Sequence, residues 1–262
     1  MRKVCAIVQA RMTSTRLPGK VLKNIAGKPV LWHVINRLRQ AKLVDEIVVA
    51  TTINSTDIPI ISLAEDIGVA SYTGSEADVL DRYYQSAKIA KADVIVRITS
   101  DCPLLDPGVV DEAASYFLKN CFDYVSNTCV TTDLGCKQAY PDGLDTEVFS
   151  FGALENAWKN ASLDSEREHV TPYIWKNVDL FKIGHVSYPV DLSHLRFTLD
   201  YEEDLLFIAE IYNRLSDKGL TFGLKDILAL LDKNPALLEI NKTKTRNEGY
   251  FKSLERDKLH QI

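Results

Sequence analysis

Residues 9–20, QARMTSTRLPGK, bring together three cations, Arg11, Arg16 and Lys20, with three hydroxyl side chains, Thr13, Ser14 and Thr15. An apolar run, VCAIV (4–8), precedes them and reads as a buried strand, so the cations lie in the loop that leaves it. Arginine forks onto phosphate oxygens and lysine adds a mobile point charge, so this loop suits a polyanion. Gly19 turns the chain after Pro18 and lets backbone N–H groups approach a ligand closely. A solvated basic loop would have the same composition, because charge runs are commonly surface features. The loop is not a Walker sequence, since G-x-x-x-x-G-K-[ST] is missing.

Two carboxylates follow later apolar runs. Asp101 comes after VIVRITS and Asp200 after LRFTL. Magnesium takes one or two carboxylates together with phosphates and water, which such a pair could supply. Each aspartate taken alone is better explained as a helix cap, Asp101 ahead of Pro103 and Asp200 ahead of YEEDL, and it is the pair with its flanks that favours a metal; Asp106 reads as the cap of PGVVDEA. YPDGLDTEVFS holds Asp142, Asp145 and Glu147, which could accept hydrogen bonds from sugar hydroxyls or simply form a turn and an exposed strand. In SEREHVTPY, Arg167 could pair with a carboxylate or phosphate, and His169 could donate a hydrogen bond or act as a base. Ser165 and Glu168 also have the spacing of a capping box, a structural role. The five cysteines are odd in number and contain no C-x-x-C, and CFDYVSNTCVTTDLGC fits no zinc spacing; free thiols in a reducing compartment are expected.

Strand and helix patterns alternate around these residues. KVCAIVQ, DEIVVATT, VASYTGS, DVIVRITS and FDYVSN read as strands. PVLWHVINRLRQA, TDIPIISLAEDIG, DVLDRYYQSAKIAKA and GVVDEAASYFLKN read as the helices between them. This rhythm predicts an α/β fold with a mostly parallel sheet and helices on both faces, its ligand at the carboxyl ends of the strands. After residue 127 the rhythm breaks; LDTEVFSF, LFKIGHVSYPV and HLRFTLD read as strands among helices. A single domain over 1–262 is expected, with an inserted segment at 130–190 and a peripheral tail at 240–262. A net charge of −5 argues against general nucleic-acid binding. No run approaches the ~20 apolar residues of a membrane span, and the N-terminal apolar run is too short for a signal peptide, so a cytoplasmic protein is expected. Lys20, as a loop residue, is expected to matter more for turnover than for stability.

Taken whole, QARMTSTRLPGKVLKNIAGKPVLWHVI (9–35) resembles the N-terminal signature of the cytidylyltransferases that activate acidic sugars, among them the CMP-Kdo and CMP-sialic acid synthetases. The resemblance is strongest to the SpsF-like branch of spore coat polysaccharide biosynthesis. GSEADVLDRYYQSA, VIVRITSDCPLLDP, REHVTPYIW and LRFTLDYEEDL resemble that branch's later blocks in order, so the likeness spans about residues 3–215. The resemblance implies a Rossmann-like, GT-A-like nucleotidyltransferase that transfers CMP from CTP to an acidic sugar (Kdo- or nonulosonate-like) or a related acceptor. It would release pyrophosphate, use Mg²⁺, serve surface polysaccharide synthesis and form a homodimer through the 130–190 segment.

Carried over residue by residue, Arg11 and Lys20 match the triphosphate-binding pair, with Arg16, Ser14, Thr15 and Gly19 beside them. Asp101 and Asp200 match the metal-binding acids, completing a catalytic set of Arg11, Lys20, Asp101 and Asp200. Gln9 and Ala10 would lie near the pyrimidine. Gly74, Ser75, Arg82 and Ser100 would add to the nucleotide site, although Arg82 on a helix could equally pair with a surface acid. Asp142, Asp145, Glu147, Arg167 and His169 would serve the acceptor. Here the chain departs from the Kdo synthetases, which have a QGDEP-like stretch where it has TSDCP. A nucleotide-sugar-dependent glycosyltransferase is the alternative, though SDCPLLD supplies no D-x-D metal motif; a non-catalytic nucleotide-binding protein is another.

Overall fold

Strand β1 (Val4–Gln9) sorts its side chains by the two-residue period of a strand. Val4, Ala6 and Val8 enter one apolar cluster and Cys5 and Ile7 the other, so the strand is buried on both faces. Such burial needs helices above and below the sheet. A computed structural model describes residues 2–128, 139–242 and 246–259. After β1 come a two-residue hairpin, β2 (Asn24–Ile25) and β3 (Lys28–Pro29), then β4 (Glu46–Thr52), β5 (Ala70–Gly74), β6 (Val94–Thr99), β7 (Tyr124–Ser126), β8 (Glu147–Ser150) and β9 (Ile183–His185). Seven of these form one sheet in the order β5-β4-β1-β6-β8-β7-β9. The pairs β5–β4, β4–β1 and β1–β6 are parallel, whereas β8 runs antiparallel to both β6 and β7.

Helices α1 (Val30–Leu38), α2 (Ile58–Asp66), α4 (Pro107–Asn120), α8 (Glu202–Arg214) and α9 (Leu224–Lys233) pack on the face of Val4, Ala6 and Val8. The opposite face carries α3 (Val79–Ile89), α5 (Phe151–Asn160) and α7 (Pro172–Lys176). The short α6 (Asp164–His169) and the last described helix, α10 (Glu248–Leu259), lie against each other. Asp106 caps α4 as expected, accepting from the Gly108 N–H at 2.7 Å.

Three local expectations are corrected. HLRFTLD makes no named strand, only a bridge of Arg196 to Asp142. Its N–H groups go to different partners, Phe197 N–H to Asp142 O at 2.6 Å and Leu199 N–H to Asp101 O at 2.8 Å, so no ladder forms. Ser165 does not cap a helix: α6 already begins at Asp164, and the Glu166 carboxylate accepts from the N–H groups of Ser162 and Leu163. The tail is not peripheral, because α10 is docked by a fully buried Ser253 and by the Ser165 N–H donating to Asp257 Oδ1 at 3.0 Å. Within the 130–190 segment, β8 and β9 belong to the main sheet; positions 130–138, with Cys136, and Cys129 just before them, lie outside the described residues. Cys5, Cys102 and Cys121 are free thiols.

Candidate active site

The loop after β1 is closed by backbone and pinned from below. Gly19 stands at φ +67°, a left-handed conformation that favours glycine, and its N–H donates to Met12 O at 2.9 Å. The Met12 N–H donates to the buried carboxylate of Asp57 at 2.9 Å. The same carboxylate collects the hydroxyls of Thr51 and Thr52 from the end of β4, at 3.0 and 2.7 Å. The loop therefore moves with the sheet and presents its cations from a fixed frame.

Lys20 is the first residue beyond Gly19, and it is not a solvated loop lysine: it is 8% exposed. Its Nζ donates to Asp101 Oδ2 at 2.6 Å, Asp200 Oδ1 at 2.8 Å and Leu199 O at 2.9 Å. The ground for expecting Lys20 to matter more for turnover than for stability, a loop lysine with little contact, is thereby corrected, since removing it would leave two carboxylates without its ammonium. Burial acts against its ammonium, but the two carboxylates outweigh burial and its pKa lies above the ordinary lysine value. Burial likewise works against the Asp101 carboxylate, and Lys20 overcomes it, holding that carboxyl well below the usual range.

Asp101 and Asp200 meet through the backbone. Asp101 leaves β6, and the 195–199 segment docks on it through the Leu199 N–H, which delivers Asp200 beside it. Neither aspartate caps a helix as the sequence alone allows. That task at α8 falls to Asp204, whose Oδ2 accepts from the N–H groups of Asp200 and Tyr201 at 2.9 and 3.0 Å. Arg196 then bridges Asp200, Asp204 and Asp142 at 3.1, 2.9 and 2.9 Å. Arg16 completes the frame, at 2.6 Å from Asp200 Oδ1 and 3.0 Å from Glu248 Oε2.

A cleft of about 880 Å³ runs along the carboxyl ends of the strands. Its walls include Gln9, Ala10, Arg11, Ser14, Thr15, Arg16, Lys20, Arg82 and Ser100 from the nucleotide set, Asp101 from the metal-binding acids, and also Arg167 and His169 from the acceptor set. Arg11 pairs with Glu76 at 3.0 Å on this rim. Arg82 is only 2% exposed; among the described residues it forms no ion pair with a surface acid, and its Nε and Nη1 have no hydrogen-bond partner. Gln9 Oε1 is buried without a partner in the same way. Burial pulls the Arg82 pKa down, as expected of a guanidinium lacking a carboxylate. Gly74 brings β5 against the Arg82 stem: a Cβ there would lie 2.8 Å from Arg82 Cγ.

The acceptor set is dispersed. Arg167 pairs with Asp78, the cap of α3, and donates to Trp158 O at 2.8 Å. His169 Nε2 lies 2.9 Å from Ser253 Oγ on α10. Glu147 is inside the protein, holding Arg97, Tyr124 and Thr171, rather than on an exposed strand. Asp142 and Asp145 lie behind Asp200, with Arg196 and Arg246 as partners. Burial first, then the Asp145 charge, push the Asp142 carboxyl up to about 7. Ser75 Oγ accepts from the Asp78 N–H at the start of α3. Arg196, Asp204, Glu76 and Glu248 were missed from sequence. Arg196 could have been found, as the one cation inside LRFTLD.

A family model described as Cytidylyltransferase matches residues 5–229. The chain belongs to the cytidylyltransferase family. Spore coat polysaccharide biosynthesis protein SpsF of Bacillus subtilis is 30% identical over 242 residues, 90% of this chain and 96% of its own. A solved cytidylyltransferase of Leptospira borgpetersenii serovar Hardjo-bovis is 32% identical, with a TM-score of 0.84 over 94% of this chain and 99% of that one. A 3-deoxy-manno-octulosonate cytidylyltransferase of Geobacter sulfurreducens is 38% identical, but over 119 residues, 45% of this chain and 46% of that protein. Likeness to the SpsF group thus runs nearly the whole length of this cytidylyltransferase, while likeness to the Kdo enzyme covers under half. No helix among the described residues is long and apolar enough to cross a membrane.

Proposed function

We propose that this cytidylyltransferase transfers CMP from CTP to an acidic sugar of the Kdo or nonulosonate kind, or a related acidic acceptor, with release of pyrophosphate. The observation that carries the reading is Lys20 held between Asp101 and Asp200 on the wall of a cleft lined by Arg11, Ser14 and Arg16.

In this reaction an acceptor oxygen attacks the α-phosphorus, the bond from that phosphorus to the bridging oxygen of the β-phosphate breaks, and pyrophosphate leaves. Charge grows on the α-phosphate oxygens and on the leaving group, so catalysis rests on positioning and electrostatic stabilisation. Arg11 and Arg16 supply forked donors to phosphate oxygens, Lys20 a point charge, and the Ser14 and Thr15 hydroxyls further donors. Asp101 and Asp200 suit Mg²⁺: both are carboxylates, and the Lys20 ammonium already shows that they converge on one cation. Mg²⁺ bound there would act as a Lewis acid and template for the phosphates. Arg82 and Gln9 present buried donors and a buried acceptor without partners among the described residues, which a cytosine ring could satisfy through O2, N3 and its amino group.

The test is pyrophosphate release from purified protein with Mg²⁺, each nucleoside triphosphate and a panel of acidic sugars. CTP-dependent release with at least one acidic acceptor is expected, and loss of it on chelation. With phosphates of uncharged sugars included in the panel, release with those and with no acidic sugar would overturn the acceptor assignment.

A further inference from the structure

The cytidylyltransferase match ends at residue 229, yet the cleft does not. Helix α10 supplies Gly249, Lys252 and Arg256 to its wall, and Glu248 at the start of α10 reaches the phosphate loop. We propose that α10 is a working wall of the nucleotide cleft and that Glu248 is the positioning residue for Arg16. This rests on the cleft being the CTP site.

Arg16 is boxed on three sides. Asp200 Oδ1 takes its Nη2 at 2.6 Å, Glu248 Oε2 takes its Nη1 at 3.0 Å, and the Tyr201 ring lies 5.6 Å from the guanidinium carbon. Glu248 is itself held, accepting from Tyr201 O–H at 2.7 Å and pairing with Lys252 at 2.9 Å. Loading a cation onto Asp200 weakens the first anchor, because Asp200 then serves the cation. Glu248 is the remaining carboxylate that keeps the guanidinium turned into the cleft. Arginine has rotamer entropy to lose on binding, and a fixed carboxylate removes part of that cost beforehand. The charge of Glu248 does not repel the triphosphate unopposed, since Arg16 and Lys252 flank it.

The attachment of α10 to the body is made for a fixed position. Ser253 Oγ donates to Glu168 Oε2 at 2.7 Å, and Tyr250 meets the His169 ring edge-on at 5.2 Å between centroids. Both partners belong to α6, which also holds Arg167 in the cleft.

The experiment measures CTP binding with Mg²⁺ by calorimetry, and steady-state kinetics, on the full chain and on Glu248→Gln, Glu248→Asp, Arg16→Met and the double variant Arg16→Met/Glu248→Gln. Expected are a five- to tenfold weaker CTP affinity and higher KM in Glu248→Gln, little change in kcat, partial rescue in Glu248→Asp, and no further loss in the double variant. Unchanged or tighter CTP binding in Glu248→Gln overturns the inference, as does an equal loss in the Arg16→Met background. Failure of the unaltered protein to bind CTP overturns the reading of the cleft, and this inference with it; normal binding by the unaltered protein with an unaffected variant overturns this inference alone.

Discussion

The Lys20 ammonium lies 2.8 Å from Asp200 Oδ1 and bridges from there to Asp101, so a protein cation occupies the space between the two acids proposed to hold the metal. On the proposed reading Lys20 has two roles of different kinds, counter-ion in the free protein, where it pairs with both acids, and phosphate ligand in the reaction. Substituting Lys20→Met should lower turnover by about 10²–10³-fold, the usual cost of losing a donor to developing charge. It should also destabilise the free protein by roughly 3–5 kcal/mol, as when one partner of a buried ion pair is removed. Excess Mg²⁺ should return part of the lost Tm in the variant and shift the unaltered protein less, by mass action on the vacated acids. Thermal melts with and without Mg²⁺ check this; a Tm unchanged by the substitution would contradict it.

Arg82 predicts the opposite balance. Its guanidinium is buried, and its Nε and Nη1 lack partners among the described residues, which makes it a cost to the free fold. Arg82→Met should leave Tm unchanged or raise it while weakening CTP binding about 10–100-fold, the worth of charge-assisted hydrogen bonds. Cytosine offers two acceptors at O2 and N3, whereas uracil offers a donor at N3. The preference for CTP over UTP should therefore shrink in the variant. Competition binding with the two nucleotides measures it, and an undiminished preference would assign Arg82 to the phosphates instead.

Legibility in the sequence followed the range of the forces involved. The strands β1, β4 and β6 and helices α1 to α4 were readable because period and capping are local; Asp106 before Pro107 is an example. Arg11, Arg16 and Lys20 were readable because one loop holds them. Lys20 between Asp101 and Asp200 was not, since sequence separations of 81 and 180 residues are closed only by the fold. Glu147 misled because an alternating strand looks half-exposed until its neighbours cover it, here Tyr124 on the adjacent strand β7 and Thr171 ahead of α7. The tail misled because its polar composition suggested solvent, while Ser253 and Asp257 bury their polar atoms against α6.

Arg37 holds the fold rather than the site. It is fully buried and donates from Nε to Leu105 O at 2.6 Å, from Nη1 to Leu220 O at 3.1 Å and from Nη2 to Phe222 O at 2.6 Å. Those carbonyls belong to the loops after β6 and α8, so one side chain ties α1 to both. Its guanidinium also lies 4.2 Å from the centre of the Phe222 ring. Arg37→Met fills the volume but leaves the carbonyls of Leu105 and Phe222 without their donor, while Leu220 O keeps Gln40 Nε2 at 3.1 Å; the loss should cost about 3 kcal/mol. Denaturant unfolding should show a lower midpoint with little change in CTP affinity at low temperature. An equal loss of affinity would mean that Arg37 reaches the site through the loop after β6.

His169 sets a pH limit on the attachment of α10. Burial pulls its pKa down to about 4, and the nearby Glu168 charge offsets only part of that. Ser253 gives its hydroxyl proton to Glu168, so His169 Nε2 carries the ring proton and donates to Ser253 Oγ. The folded protein therefore holds a neutral imidazole at pH 7. In the unfolded chain the ring takes up a second proton near its ordinary value of about 6.5. The unfolded state binds more protons between those values, so this contribution to stability is present above pH 6.5 and is lost as the pH falls towards 4. His169→Asn keeps a donor but cannot titrate. Its Tm should fall less than that of the unaltered protein between pH 7 and 4.5, and hydrogen exchange in α10 of the unaltered protein should accelerate over the same interval. Parallel Tm curves for the two proteins would show that the acid sensitivity lies elsewhere.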